Sequence, residues 1–178
     1  MKIITSKPSD SHLLCSIFYA CCLLFISFMV SCNKPVVAPL QLPPETHTGA
    51  DILAFKANGK IYISKGAGGK LSQFNAGVSY GVYDSNAIII ASSRDASPFY
   101  MDISSKFSHS LGTFKIEPTP FSQGATFDTF KTNNIYSGSI TYTYYDGNIL
   151  AGTFAFDAVS ANDSVVHITE GRFDIQNH

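Results

Sequence analysis

The stretch SITYTYYDGNILAGTFAFDA, residues 139–158, decides the fold. Two runs rich in tyrosine, threonine and phenylalanine, Ser139–Tyr145 and Ile149–Ala158, flank Asp146-Gly147-Asn148. β-Branched and aromatic residues suit a pleated surface and Asp-Gly-Asn suits a turn, so the stretch predicts a β-hairpin. A three-residue loop pairs Tyr144 with Leu150 and Ile140 with Phe154. That register gathers Ile140, Tyr142, Tyr144, Leu150, Phe154 and Phe156 on one face. A two-residue loop slips every partner by one residue and sets rings against Thr141 and Thr143. Burial favours the three-residue loop, with Asn148 in the left-handed position.

The same pattern extends in both directions. Downstream, Val165–Thr169 and Arg172–Ile175 turn Val166, Ile168, Phe173 and Ile175 inward and His167, Arg172 and Asp174 outward. Upstream, Ile52–Ala57 and Lys60–Ser64 are joined by Asn58-Gly59, a strong hairpin signal because both turn positions need positive φ. Val78–Tyr83, Ala87–Ser92, Phe99–Ile103 and Gly112–Glu117 are further strands. Pro118 and Pro120 stop pairing, Phe127–Thr132 fits strand and loop alike, and Asp102–Ser110 admits one or two helical turns. From Ala50 onward no long window keeps a helical apolar period. The expectation is an all-β domain of 8–10 strands over residues 50–178, an antiparallel meander forming a β-sandwich or a closed, lipocalin-like barrel. One internal echo, Leu111-Gly112-Thr113-Phe114 against Gly152-Thr153-Phe154, reads as coincidence.

The N-terminus differs in kind. Lys2 and Lys7 precede 18 uncharged residues, Leu13–Val30, ending in Met29-Val30-Ser31-Cys32. An apolar run closed by small residues reads as a secretory signal, and a cysteine directly after them fits a bacterial lipobox, although Met29 stands where leucine is commonest. The alternative is an uncleaved membrane anchor, since such a run nearly spans a bilayer. Either way residues 33–178 lie outside the cytoplasm. The expected organisation is a signal peptide over 1–31, then a lipidated Cys32 and a linker over 32–49 carrying Pro35, Pro39, Pro43 and Pro44. Proline keeps such a linker extended, at about 3 Å per residue. Asn33-Lys34-Pro35 carries no acidic cluster of the kind that marks surface export, so the periplasmic face of the outer membrane is favoured over the cell surface.

Composition narrows the chemistry. The chain has 178 residues, 14% charged, with net charge −1. The low charge excludes global disorder, and the neutral balance argues against a nucleic-acid partner, which calls for a basic patch. All four cysteines, Cys15, Cys21, Cys22 and Cys32, fall in the first 32 residues, so the exported domain has no disulfide, thiolate metal site or cysteine nucleophile. No G-x-S-x-G elbow, H-E-x-x-H or calcium-loop spacing occurs, and Gly66-Ala67-Gly68-Gly69-Lys70 fails the phosphate-loop spacing. His109 and His167 stand as isolated histidines, and no sequence feature pairs any two of Asp102, Glu117, Asp128, Asp157 and Glu170. No cofactor and no metal are implied. The tyrosines invite more: if Thr141, Thr143 and Tyr145 face solvent, they form a strip for a sugar or peptide, since tyrosine pairs a flat apolar body with a polar tip.

Two motifs carry a resemblance. Leu42-Pro43-Pro44-Glu45-Thr46-His47-Thr48-Gly49-Ala50 leads into the Asn58-Gly59 hairpin, and Ile168-Thr169-Glu170-Gly171-Arg172-Phe173-Asp174-Ile175 closes the chain. Together they resemble a family of small Bacteroidota lipoproteins of unassigned function. The resemblance covers both ends of the domain, leaves its middle unmatched, and implies export, lipidation and an all-β fold; it brings no catalytic residue, because none is assigned in the family. Read physically, Gly152 and Gly171 sit at strand starts where backbones approach, and Arg172 and Asp174 form an exposed ion pair with a neighbouring strand. Asp163-Ser164-Val165 resembles the O-glycosylation acceptor of such organisms, making Ser164 a candidate modification site. The functional expectation is a non-enzymatic binding or structural module held to the membrane by lipid, with a carbohydrate or an envelope protein as partner. The alternatives are a small envelope hydrolase and a lipocalin-like carrier of an apolar ligand.

Overall fold

Strands form wherever the sequence alternates. β1 (Ile52–Ala57) buries Leu53, Phe55 and Ala57. Asn58 and Gly59, at φ 46° and 82°, then make the two-residue turn that the dipeptide predicts, leading into β2 (Lys60–Lys65) with Ala57 opposite Lys60. The computed structural model describes residues 40–67, 76–94, 97–116, 118–119 and 122–178. Cys32, Gly68-Gly69-Lys70, Glu117 and Pro120 lie outside these.

Four antiparallel neighbours follow: β3 (Gly77–Tyr83), β4 (Asn86–Ser93), β5 (Phe99–Lys106) and β6 (Gly112–Ile116). β5 runs strand-wise to Lys106, so the helical turns expected over Asp102–Ser110 do not form. Asn86 through Ser93 of β4 pair with its whole length, and Ser104 Oγ donates to Gly124 O at 2.9 Å. Pro118 leaves the main sheet, yet β7 (Pro118–Thr119) pairs with β8 (Ser122–Gln123) in a small sheet of its own. Phe127–Thr132 resolves into part of a hairpin. β9 (Ala125–Phe127) turns through Asp128, at φ 51°, into β10 (Phe130–Lys131), and β9 pairs with Met101–Ile103 of β5.

The chain ends in three long strands, β11 (Gly138–Tyr145), β12 (Ile149–Val159) and β13 (Val165–Gln176). Ile140 faces Phe154 as expected, but a bulge at Tyr142–Tyr144 shifts the rest, so Tyr145, not Tyr144, pairs with Leu150. The left-handed residue of the turn is Gly147, at φ 93°, rather than Asn148. Asp146 Oδ1 accepts from the amides of Asn148 and Ile149 at 2.8 and 2.6 Å, which holds the turn in that form. The two expected closing strands are one. Inward residues change from Val166 and Ile168 to Phe173 and Ile175, an odd step that a bulge around Glu170, at φ 52°, absorbs.

Hydrogen bonding runs β3-β4-β5-β6-β11-β12-β13-β1-β2, and Ala67, just past β2, bridges back to Val78 of β3. The architecture is therefore all-β, one antiparallel sheet that curls round on itself, with no helix among the described residues. Its interior is filled. Phe55 stacks on Tyr62 at 5.3 Å and meets Phe99 and Phe127 edge-on at 5.2 and 5.4 Å. Towards the β11–β12 turn, Phe107 packs on Tyr142 at 4.5 Å, and the buried Tyr142 hydroxyl bonds Ser105 Oγ at 2.7 Å.

The Gly-Thr-Phe echo has a structural sense. Gly112, Thr113 and Phe114 of β6 pair with Tyr142, Thr141 and Ile140 of β11, and Gly152, Thr153 and Phe154 of β12 pair with the same three residues. The two triplets thus flank one strand in register. Gly152 lies within β12, not at its start, and a Cβ there would stand 2.1 Å from Thr141 O. Only a missing side chain permits that approach.

Candidate functional site

Residues expected in a free linker form part of the domain. Asp174 is 1% exposed, and its carboxylate accepts from Thr46 Oγ1 (2.6 Å), Thr48 N (2.9 Å), Thr48 Oγ1 (3.2 Å) and Gly49 N (2.8 Å). Burial alone raises its pKa, but these bonds and one from the Ala50 amide outweigh it and hold the carboxyl below its ordinary value. Arg172 Nη1 donates to Pro43 O at 3.0 Å, and His47 stacks on Tyr144 at 5.4 Å. Residues 43–49 are therefore a strap across the outer face of β13. The ion pair expected of Arg172 and Asp174 does not form; both side chains grip the strap instead. Gly171 completes the motif, since a Cβ there would meet the Phe154 ring at 2.5 Å. The two motifs at the ends of the domain touch each other.

The bulge in β11 dismantles the expected ligand strip. Thr141 stays on the outer face, bonded to Thr113 Oγ1 at 2.8 Å, and Thr143 is exposed. Tyr145 turns to the core side with Leu150, where its ring meets Phe107 edge-on at 5.1 Å. Thr141 instead borders a shallow outer groove of about 360 Å³ with Thr153, Arg172, Glu45 and Glu170, the last tied to Lys56 at 2.6 Å.

Tyr145 belongs to a different site. At one end of the sheet the β3–β4 hairpin, the loop after β5, the β11–β12 turn and the C-terminal Asn177 surround a cleft of about 490 Å³. β3 supplies Tyr80 and Tyr83. The Tyr80 hydroxyl donates to Asn148 O at 3.1 Å, and its pKa is pushed up to about 12, first by burial and then by Tyr145 and Asp146. Tyr83 is 39% exposed and its ring lies against Gly81, where a Cβ would stand 2.5 Å from ring carbon Cε2. The β5–β6 loop supplies His109, whose ring lies 5.4 Å from Tyr145 and 5.5 Å from Phe107. Asp84 and Ser85 make the β3–β4 turn at φ 46° and 62°, and His109 sits at φ 61°. Three non-glycine residues thus adopt the left-handed conformation around one cleft. Aspartate and histidine tolerate it well, serine less so.

The remaining candidates are dispersed. His167 Nδ1 contacts Asp157 Oδ1 at 2.7 Å on an exposed face, and Asp128 Oδ1 accepts from the Tyr100 amide. Ser164 is exposed in the β12–β13 turn, where its carbonyl accepts from Ser160 N. Among the described residues no cluster of histidine, cysteine and carboxylate is arranged to hold a metal. His109, Asp84 and Ser85 line one cleft, yet no hydrogen bond joins them. Of the cleft's tyrosines the sequence singles out Tyr145 alone, and not its meeting with Tyr80 and Tyr83, because the cleft draws on residues from Tyr80 to Asn177. Comparison with protein-family models, with curated proteins and with solved structures finds no match to this chain.

Proposed function

We propose that the protein is a lipid-anchored, non-enzymatic binding module of the cell envelope, tethered through Cys32 to the periplasmic face of the outer membrane. The observation that carries the binding role is the cleft of tyrosine and histidine rings at the end of a domain whose core is already filled. Ligand sites combine apolar walls with a few polar groups in this way. The aromatic filling speaks against a lipocalin-like carrier. The anchor rests on the lipobox sequence. With the strap docked from Pro43 onward, the tether to Cys32 is shorter than the linker expected over 32–49. An envelope protein remains the alternative partner to a small ligand, and Ser164 stays a candidate for glycosylation.

Fractionation of cells labelled with a clickable fatty acid tests the anchor. Wild type is expected to carry label in the outer-membrane fraction, and Cys32→Ala to be unlabelled and absent from it. Wild type that keeps residues 1–31 and takes up no label overturns the anchor. A small hydrolase is the second reading, favoured only by His109, Asp84 and Ser85 sharing the cleft. Serine catalysis needs a hydroxyl bonded to its base, and Ser85 has no such bond to His109. A turnover abolished by both Ser85→Ala and His109→Ala would establish the hydrolase and refute the non-enzymatic reading.

A further inference from the structure

We propose that the cleft between the β3–β4 hairpin and the β11–β12 turn binds a neutral saccharide of about one or two sugar rings. The inference rests on the binding-module reading and names the ligand class of that same site.

Size comes first. A cleft of about 490 Å³ lies within the roughly 300–1,000 Å³ of small-ligand sites. It is also open on one side, which suits the end of a polymer. The walls come next. The negative face of an aromatic ring attracts the weakly positive C–H groups that line one face of a sugar ring. Tyr145 and His109, with centres 5.4 Å apart and planes inclined at 52°, give the wall two adjoining ring surfaces. Tyr80 and Tyr83 add further rings. Polar groups for hydroxyls are present in Asp84, Ser85 and Asn177, and around Gly147 a Cβ would meet nothing within 4 Å, so its peptide groups are open to solvent and ligand.

Charge selects between ligand classes. No lysine or arginine lines the cleft among the described residues, so an anionic ligand finds no permanent positive charge there. One carboxylate, Asp84, suits a hydroxyl pair as an acceptor. A small organic cation is the rival ligand, which rings arranged around a point beside Asp84 would take, and the titration with choline decides between the two.

The rings are held before any ligand arrives. Tyr80 is tied by its hydroxyl to Asn148 O, and Tyr83 lies against the backbone of Gly81. Rings already in position lose little entropy on binding. The left-handed backbone at Asp84 and Ser85 is that of a two-residue hairpin turn between Tyr83 and Asn86, which fixes this part of the rim.

The test uses the full chain purified in detergent. It is titrated calorimetrically with maltose, cellobiose and N,N′-diacetylchitobiose, and in parallel with choline and with a tyrosine-rich hexapeptide. Binding of at least one disaccharide is expected, weakened about tenfold or more by Tyr83→Ala. Gly81→Ala, which displaces only the end of the Tyr83 side chain, is expected to weaken binding by several-fold with an unchanged melting temperature. No disaccharide binding at millimolar concentration overturns the proposal. So does binding that both variants leave intact, or binding of choline or the peptide alone. Absence of saccharide binding with Cys32 still acylated removes the ligand class and leaves the anchored module. Saccharide binding by a chain that is never acylated does the reverse.

Discussion

Replacing Asp174 with alanine removes the grip on the strap, and the structure sets the size of the effect. The carboxylate is buried and accepts from two hydroxyls and two backbone amides between 2.6 and 3.2 Å, and from the Ala50 amide besides. A hydrogen bond to a charged group contributes about 1.5–3 kcal/mol, but such bonds do not add, and the freed threonine hydroxyls return to water. The amides of Thr48 and Gly49 lose their acceptor. The net expectation is a loss of about 3 kcal/mol, or roughly 10 °C in melting temperature for a domain of this size. Thermal unfolding followed by circular dichroism measures it. Thr46→Val removes a single donor, is expected to cost about 1 kcal/mol, and should cost almost nothing more once Asp174 is gone. The pH dependence gives a second check. The folded carboxyl titrates below its ordinary value, so its contribution is present above about pH 4 and fades as pH falls through the lower folded pKa. The gap between wild type and Asp174→Ala should therefore narrow on acidification. A variant within 0.5 kcal/mol of wild type at pH 7, or a gap that does not narrow on acidification, refutes the strap as a source of stability.

Three further outcomes are expected. Gly152→Ala forces a Cβ to 2.1 Å from Thr141 O, where backbone cannot yield; urea denaturation should find it about 3 kcal/mol less stable, or unfolded. Tyr142→Phe deprives Ser105 Oγ of its 2.7 Å partner and should cost about 1–2 kcal/mol in the same assay. Burial, partly offset by the Ser105 bond, pushes the Tyr142 phenol up to about 12; wild-type stability should thus hold below pH 10 and fall as pH rises towards 12, a fall that Tyr142→Phe reduces. Ser85→Gly relieves a side chain at φ 62° and should raise stability by about 0.5–1 kcal/mol in thermal unfolding.

Turn chemistry was readable where it is local. Asn58-Gly59 forms its turn because the left-handed conformation is a property of those two residues. Asp146-Gly147-Asn148 was located as a turn, but its left-handed residue was not, because Asp146 captures the next two amides and moves the bend to Gly147. The tyrosine strip failed for a related reason. A bulge inserts one residue between Tyr142 and Tyr144, and period-2 counting carries no mark of it. Asp102–Ser110 hid its strand because Ser104 and Ser105 look like turn residues until Gly124 O and the Tyr142 hydroxyl satisfy them.

Alternation of apolar side chains, glycine and asparagine at the turns, and the absence of helical period determined the all-β class from sequence alone. These signals act over a few residues, so neighbouring positions suffice to read them. Tertiary structure alone decided the ring closure at Ala67 and Val78, the strap that Asp174 buries 126 residues from Thr48, and the cleft that joins Tyr80 to Tyr145. Each depends on where distant backbones come to rest, and bulges at Tyr142–Tyr144 and Glu170 redirect those backbones without leaving a trace in the pattern.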